Sequence, residues 1–247
     1  MKTGLAITCF NSPERCRTLL CDLALLGKLK RRFLWINDQS DNLSVRLEYS
    51  DLADEFKIAY CPSQKTGATG AKRQVAEFAK EQGLEFVHQM SEDFRVNDQE
   101  YEPYVAPVST GIKDFLSDSE AILLLRPELD FVKYNIITPP DGDMAYLTTS
   151  PWGTLKFEMM KGVTLPFLTG DVVYSNWPAC WRVDRILKMW EAADKWTPLT
   201  DRDRELVKIS GGEWAASMCG FTKGAVLVAQ PLIHGRRHHE RPDGSLS

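Results

Sequence analysis

Residues 4–93 alternate short apolar runs with amphipathic, helix-like stretches, and this alternation limits the possible folds more than any other feature of the chain. Repeats of this kind build parallel sheets, because parallel neighbours need a long crossover and a helix is the usual one. Residues 4–9 are the first apolar run. Asn11 and Ser12 then offer a cap ahead of Pro13 and Glu14 in the first helical turn, and Leu19, Leu20, Leu23 and Leu26 keep helical spacing up to Gly27. Residues 32–37 read as a second strand closed by the polar turn Asp38-Gln39-Ser40-Asp41-Asn42, and residues 56–61 as a third. Residues 72–82 read as a helix with Val75, Phe78 and Ala79 inward, and residues 84–90 as a fourth strand ending at Ser91-Glu92-Asp93. The expected fold class is α/β, with a Rossmann-like, mostly parallel central sheet flanked by helices.

The chain has 247 residues, enough for one large α/β domain or two small ones. Its net charge of −4 argues against duplex nucleic acid as a primary ligand, since phosphate neutralisation by clustered Lys and Arg supplies most of that affinity. Six cysteines are scattered without a Cys-x-x-Cys pair, which speaks against a structural zinc site and for free thiols. No apolar stretch approaches the roughly 20 residues that span a bilayer, and residues 1–7 lack the apolar region of a signal peptide. A cytoplasmic protein without a membrane span is expected. The polar connector at 98–107 divides the chain into an N-terminal half, 1–105, and a C-terminal half with a tail, 106–247. Six of the seven tryptophans fall after residue 150, where they serve either as core or as a platform for a sugar ring or base.

Ligands of open α/β sheets bind beyond the carboxyl ends of the strands. Those positions are unusually polar here. The first strand delivers Thr8, Phe10 and Asn11, the second Asp38 and Asp41, the fourth Glu92 and Asp93. Carboxylates gathered at one sheet edge repel one another unless a cation or ligand donors compensate.

Residues 7–15 (Ile-Thr-Cys-Phe-Asn-Ser-Pro-Glu-Arg) together with Trp35-Ile36-Asn37-Asp38-Gln39-Ser40-Asp41 resemble the opening of family 2-type nucleotide-sugar glycosyltransferases with the GT-A fold. Gly70-Ala71-Lys72-Arg73-Gln74 is similar to that family's Gly-x-Ala-Arg-Asn helix start, and residues 84–93 to the strand that ends in its Asp-x-Asp motif. Ser91 departs from the motif at its first acid. The resemblance covers residues 4–96 and implies a single domain whose N-terminal half binds the donor and whose C-terminal half binds the acceptor. It also implies a UDP-sugar donor and a Mn²⁺ or Mg²⁺ ion bridging the diphosphate to Asp93, with Glu92 touching metal, ribose or sugar. Asp38 and Asp41 would read base and ribose, with Thr8, Phe10 and Asn11 near the nucleotide. Arg73 would add a charge-assisted contact to the diphosphate or sugar.

Two later segments offer further candidates. Ser210-Gly211-Gly212-Glu213-Trp214 resembles the acidic motif that opens a helix near the acceptor in inverting members, where Glu213 would be the general base; an acid at a helix start is also favoured electrostatically without any catalytic role. Asp171 competes for that role, as do Asp141 and Asp143. His234 is a candidate metal ligand, and the tail around Arg236-Arg237-His238-His239 is a candidate lid. The acceptor implied is a saccharide hydroxyl, with a hydroxymethylated DNA base as an alternative. A non-catalytic nucleotide-sugar-binding module is the other alternative.

Overall fold

The computed structural model describes residues 2–25, 32–96, 115–134, 155–172, 178–210, 213–219, 223–227 and 231–234. Asp141, Asp143, Trp152, Trp177 and the basic tail after His234 lie outside them. The chain opens with β1 (Thr3–Cys9), α1 (Pro13–Leu25), β2 (Phe33–Asp38), α2 (Leu43–Phe56), β3 (Ala59–Pro62), α3 (Gly67–Glu81) and β4 (Phe86–Ser91). The four strands run parallel in the order β3-β2-β1-β4. One element departs from the sequence expectation: the segment after Asn42 is a helix, capped by the Asn42 side chain, which accepts the Ser44 N–H at 2.9 Å. That helix closes at Lys57 in a left-handed conformation (φ 55°), so β3 starts only at Ala59.

The rest of the described chain comprises β5 (Phe94–Val96), α4 (Phe115–Leu125), β6 (Phe131–Lys133), β7 (Lys156–Glu158), β8 (Phe167–Asp171), β9 (Ala179–Arg182), α5 (Val183–Lys195), α6 (Asp201–Ser210), α7 (Glu213–Met218), β10 (Lys223–Leu227) and β11 (Leu232–His234). β9 adds antiparallel to β4 and continues the sheet to nine strands through β6, β10, β8 and β7. Following the pairings outward from β1, only β9 and β8 run against it. The sheet is therefore mostly parallel, and both halves of the sequence contribute to it. β5 and β11 form a separate antiparallel pair.

Apolar residues on both faces of the sheet explain the layering, since a buried parallel sheet must be covered twice. On one face Leu5, Ile7, Ile36 and Met90 pack with Leu19, Leu20 and Leu23 of α1, Tyr49 and Leu52 of α2, and Ile122 and Leu123 of α4. On the other, Ala6, Trp35 and Val87 meet Val75, Ala76 and Ala79 of α3 and Ile186, Met189 and Trp190 of α5. Trp181 is likewise core, stacked on Phe131 with ring centroids 4.3 Å apart. These two tryptophans are core, not a ligand platform. After β3 the chain crosses back over β1 to place β4 on its far side, so the connections leaving β1 and β4 diverge. Such a switch point opens a crevice at the carboxyl edge.

A buried polar chain links the start of β2 to β4 and α4. His88 Nε2 meets Glu120 Oε1 at 2.7 Å, His88 Nδ1 meets the Tyr134 hydroxyl, and Arg32 Nε donates to Glu120 Oε1 at 2.6 Å. An ionised Glu120 requires the proton on Nε2, leaving Nδ1 to accept from Tyr134. Burial pushes the His88 pKa down, against the pull of Glu120. The unfolded imidazole then takes up a proton more readily than the folded one, so this group withdraws stability as the pH falls. We expect the unfolding free energy of the wild-type chain, relative to His88→Gln, to decline between pH 7 and 5.5, by no more than the one-proton limit of about 1.4 kcal/mol per pH unit. Parallel urea titrations of the two proteins, in which other titrating groups cancel, would measure it; a pH-independent difference would refute it.

Candidate functional site

Three consecutive backbone N–H groups leave the end of β1, and each is taken by a side chain from a different element. The Phe10 N–H donates to Glu92 Oε1 at 2.8 Å, the Asn11 N–H to Ser40 Oγ at 3.0 Å, and the Ser12 N–H to the Tyr49 hydroxyl at 2.8 Å. Tyr49 in turn donates to Glu92 Oε2, and the Glu92 N–H donates to the Thr8 carbonyl at 3.1 Å. Asn11 takes a left-handed conformation (φ 59°), which asparagine tolerates better than most residues. The loop after β1 is thus pinned to the β2 loop, to α2 and to the turn after β4. Burial pushes the Glu92 carboxyl up to about 7, opposed by its Tyr49 and Phe10 hydrogen bonds. It acts on stability in the opposite sense to His88, since the folded state holds the proton longer.

The β2 loop is braced as firmly. Asp38 is fully buried; its Oδ1 accepts the Ser40 N–H and its Oδ2 the Tyr60 hydroxyl, both at 2.8 Å. The Gln39 side chain ties this loop to the start of α3 by donating to Thr66 Oγ1 at 3.0 Å and Gln74 Oε1 at 2.7 Å. Arg46 donates to the carbonyls of Ser40 and Ser63 at 2.6 and 3.0 Å. Burying so many polar groups is tolerable because nearly all find partners. Two neighbours do not. The enclosed Thr8 hydroxyl and Asn37 amide nitrogen, opposite one another in the β1–β2 register, have no partner among the described residues. Ser91 continues the row on β4. Unmet hydrogen-bonding capacity is costly unless something fills it.

The candidate residues sort themselves by this geometry. Thr8, Phe10, Asn11, Asp38, Asp41, Glu92 and Asp93 share the carboxyl edge of β1, β2 and β4. Phe10 and Asp41 are exposed there. Asp38 and Glu92 are buried at this edge, and both oxygens of each accept a hydrogen bond that braces the loops. Arg73 is partly exposed and pairs with Glu77 at 3.0 Å and Asp194 at 2.7 Å. Asp171 faces Lys223 across the β8–β10 register, one position before the row Gly224–Phe131–Trp181–Val87. That row crosses β4 near its beginning, so Asp171 lies at the opposite sheet edge and cannot serve as the base. Glu213 opens α7, which packs on α5 and α6. His234 pairs in register with Phe94, the residue after Asp93.

No cluster of three or more His, Cys, Asp or Glu side chains among the described residues forms a ready-made metal site. The placement of Asp93 and His234 on adjoining segments fits a cation that draws most of its ligands from a bound diphosphate, as hard divalent ions commonly do. Sequence reasoning missed Tyr49, Tyr60 and Lys65. The two tyrosines carried no signal because their partners are remote in the chain.

Sheet order, switch point and helix layers together define a GT-A-type α/β domain. The same fold is found in TarS of S. aureus: a structure of residues 1–349 superposes with a TM-score of 0.52 at 16% identity over 94% of this chain and 59% of that one. The same TarS fragment in complex with UDP gives 0.52 at 14% identity, again over 94% and 59%. This chain therefore spans under two thirds of the length of those fragments. Neither a protein-family model nor a curated protein matches the sequence. No helix among the described residues is long and apolar enough to cross a membrane.

Proposed function

We propose that the chain is a nucleotide-sugar glycosyltransferase that binds a UDP-sugar at the carboxyl edge of β1, β2 and β4 and transfers the sugar, with inversion, to an acceptor hydroxyl on a saccharide. The observation that carries this reading is the enclosed, unpartnered pair Thr8 Oγ1 and Asn37 Nδ2 at the switch point, beside the exposed Phe10 ring. Polar atoms left open in an otherwise satisfied loop system are what a polar ligand completes. The fold shared with a UDP-bound TarS fragment supports uridine as the base. The comparisons lend no support to a hydroxymethylated DNA base as acceptor.

Phe10 would offer a ring face to the base, while the Glu92–Tyr49 bracket holds Phe10 and Asp93 at a fixed spacing. Asp93 and His234 would hold Mn²⁺ or Mg²⁺, which supplies charge stabilisation to the departing diphosphate. The acceptor oxygen attacks the anomeric carbon as the bond to the diphosphate oxygen breaks, and Glu213 takes the hydroxyl proton. Calorimetry with UDP, with and without Mn²⁺, followed by an assay of donor turnover, tests the reading. Metal-dependent binding with turnover is expected. Binding without turnover would instead favour a non-catalytic module, and no binding of UDP would overturn the assignment.

A further inference from the structure

Lys65 stands in the loop between β3 and α3, whose next residue is anchored to the β2 loop through Gln39 and Thr66. Its ammonium lies 2.9 Å from Asp41 Oδ2 and 4.3 Å from the centroid of the Phe10 ring. One flexible side chain therefore bridges the ends of β3, β2 and β1 across the mouth of the site. Both ion-pair partners are more than half exposed, so the contact is weak and easily exchanged. A cation over an aromatic face is attracted to it, and here it covers the ring surface on which a base would stack. The carboxyl edge around it is acidic, with Asp41 and Asp93 beside the buried Asp38 and Glu92. An incoming diphosphate needs a positive group, and Lys65 already stands over the mouth of the site.

We propose that Lys65 is a donor-phosphate residue held in reserve by Asp41: on donor binding its ammonium leaves Asp41 and the Phe10 face and pairs with a phosphate of the nucleoside diphosphate. This rests on the nucleotide-sugar reading above. A lysine suits the role because its compact charge sits on a long, mobile stem. The exchange makes Asp41 a competitor of the ligand. Removing Asp41 should strengthen binding of UDP relative to that of uridine.

Calorimetric titration of UDP, and of uridine as its phosphate-free control, into the full chain and its variants tests this. Lys65→Ala is expected to weaken UDP about 10–100-fold, the loss of a charge-assisted contact, while uridine binds as to wild type or slightly tighter. Lys65→Arg should recover most of the loss. Asp41→Asn should tighten UDP severalfold relative to uridine, and only when Lys65 is present. UDP affinity unchanged in Lys65→Ala, equal losses for UDP and uridine, or an Asp41→Asn effect that persists without Lys65 would each overturn the proposal. Failure of the wild-type chain to bind UDP would overturn the nucleotide-sugar reading itself, so the two failures are distinguishable. Lys65 and Asp41 are exposed, and circular dichroism of each variant would confirm an unchanged fold.

Discussion

Asp93→Asn is expected to remove the metal-dependent part of UDP binding and to lower kcat/KM by about 10³-fold or more. A cation bridging a carboxylate to a leaving diphosphate contributes several kcal/mol of transition-state stabilisation, and each 1.36 kcal/mol is a factor of about ten. The substitution keeps size and shape, removes the charge and turns one acceptor oxygen into an N–H donor. The position of Asp93 is set by its predecessor: the Glu92 backbone is held by the Thr8 carbonyl and its side chain by Phe10 and Tyr49. Its successor, Phe94, is held by strand pairing to His234. Asp93→Asn should therefore leave the fold intact, with a melting temperature within a few degrees of wild type. Titration of UDP with and without Mn²⁺ reads the first effect and steady-state kinetics the second. Full activity, or equal loss of metal-free and metal-dependent binding, would remove Asp93 from the metal site. His234→Ala should move the same observables in the same direction by a smaller factor, because it would remove one ligand of several.

The parallel core was legible because its signals are local. Apolar runs, the Pro13 helix start and the polar residues after each strand fix β1, α1, β2 and β4, whereas the switch point emerges only from the pairing of β1 with both β2 and β4. The helix α2 was not legible, since its apolar stripe of Tyr49, Leu52 and Ala53 is blurred by Leu43 and Leu47, which lie exposed on the other side. At the site the types of residue were readable and their allegiances were not. A row of acids after strands looks like a set of ligands. Which acid faces the crevice depends on distant partners: Tyr60 for Asp38, and Tyr49 with the Phe10 N–H for Glu92. Arg73 illustrates the same limit, because Asp194 is 121 residues away. The sheet register decided against Asp171, and register beyond β4 follows no short-range rule.

Glu213→Ala is expected to lower kcat by about 10²–10⁴-fold, the usual worth of a positioned general base, while the dissociation constant for UDP changes less than about twofold. The prediction separates the two ends of the site. In the proposed function donor affinity would depend on the β1, β2 and β4 edge, whereas Glu213 belongs to α7, whose contacts are with α5 and α6. The helix start is anchored by its second residue: the Trp214 indole N–H donates to Asp203 Oδ1 at 3.0 Å, and Ala215 and Ala216 are buried beneath it. Glu213→Gln should be as impaired as Glu213→Ala, because an amide keeps the shape and cannot take the acceptor's proton. Asp171→Ala is the matched control, since that carboxylate pairs with Lys223 at the far edge of the sheet and should cost little activity. Retained turnover in Glu213→Ala together with loss in Asp171→Ala would reverse the assignment.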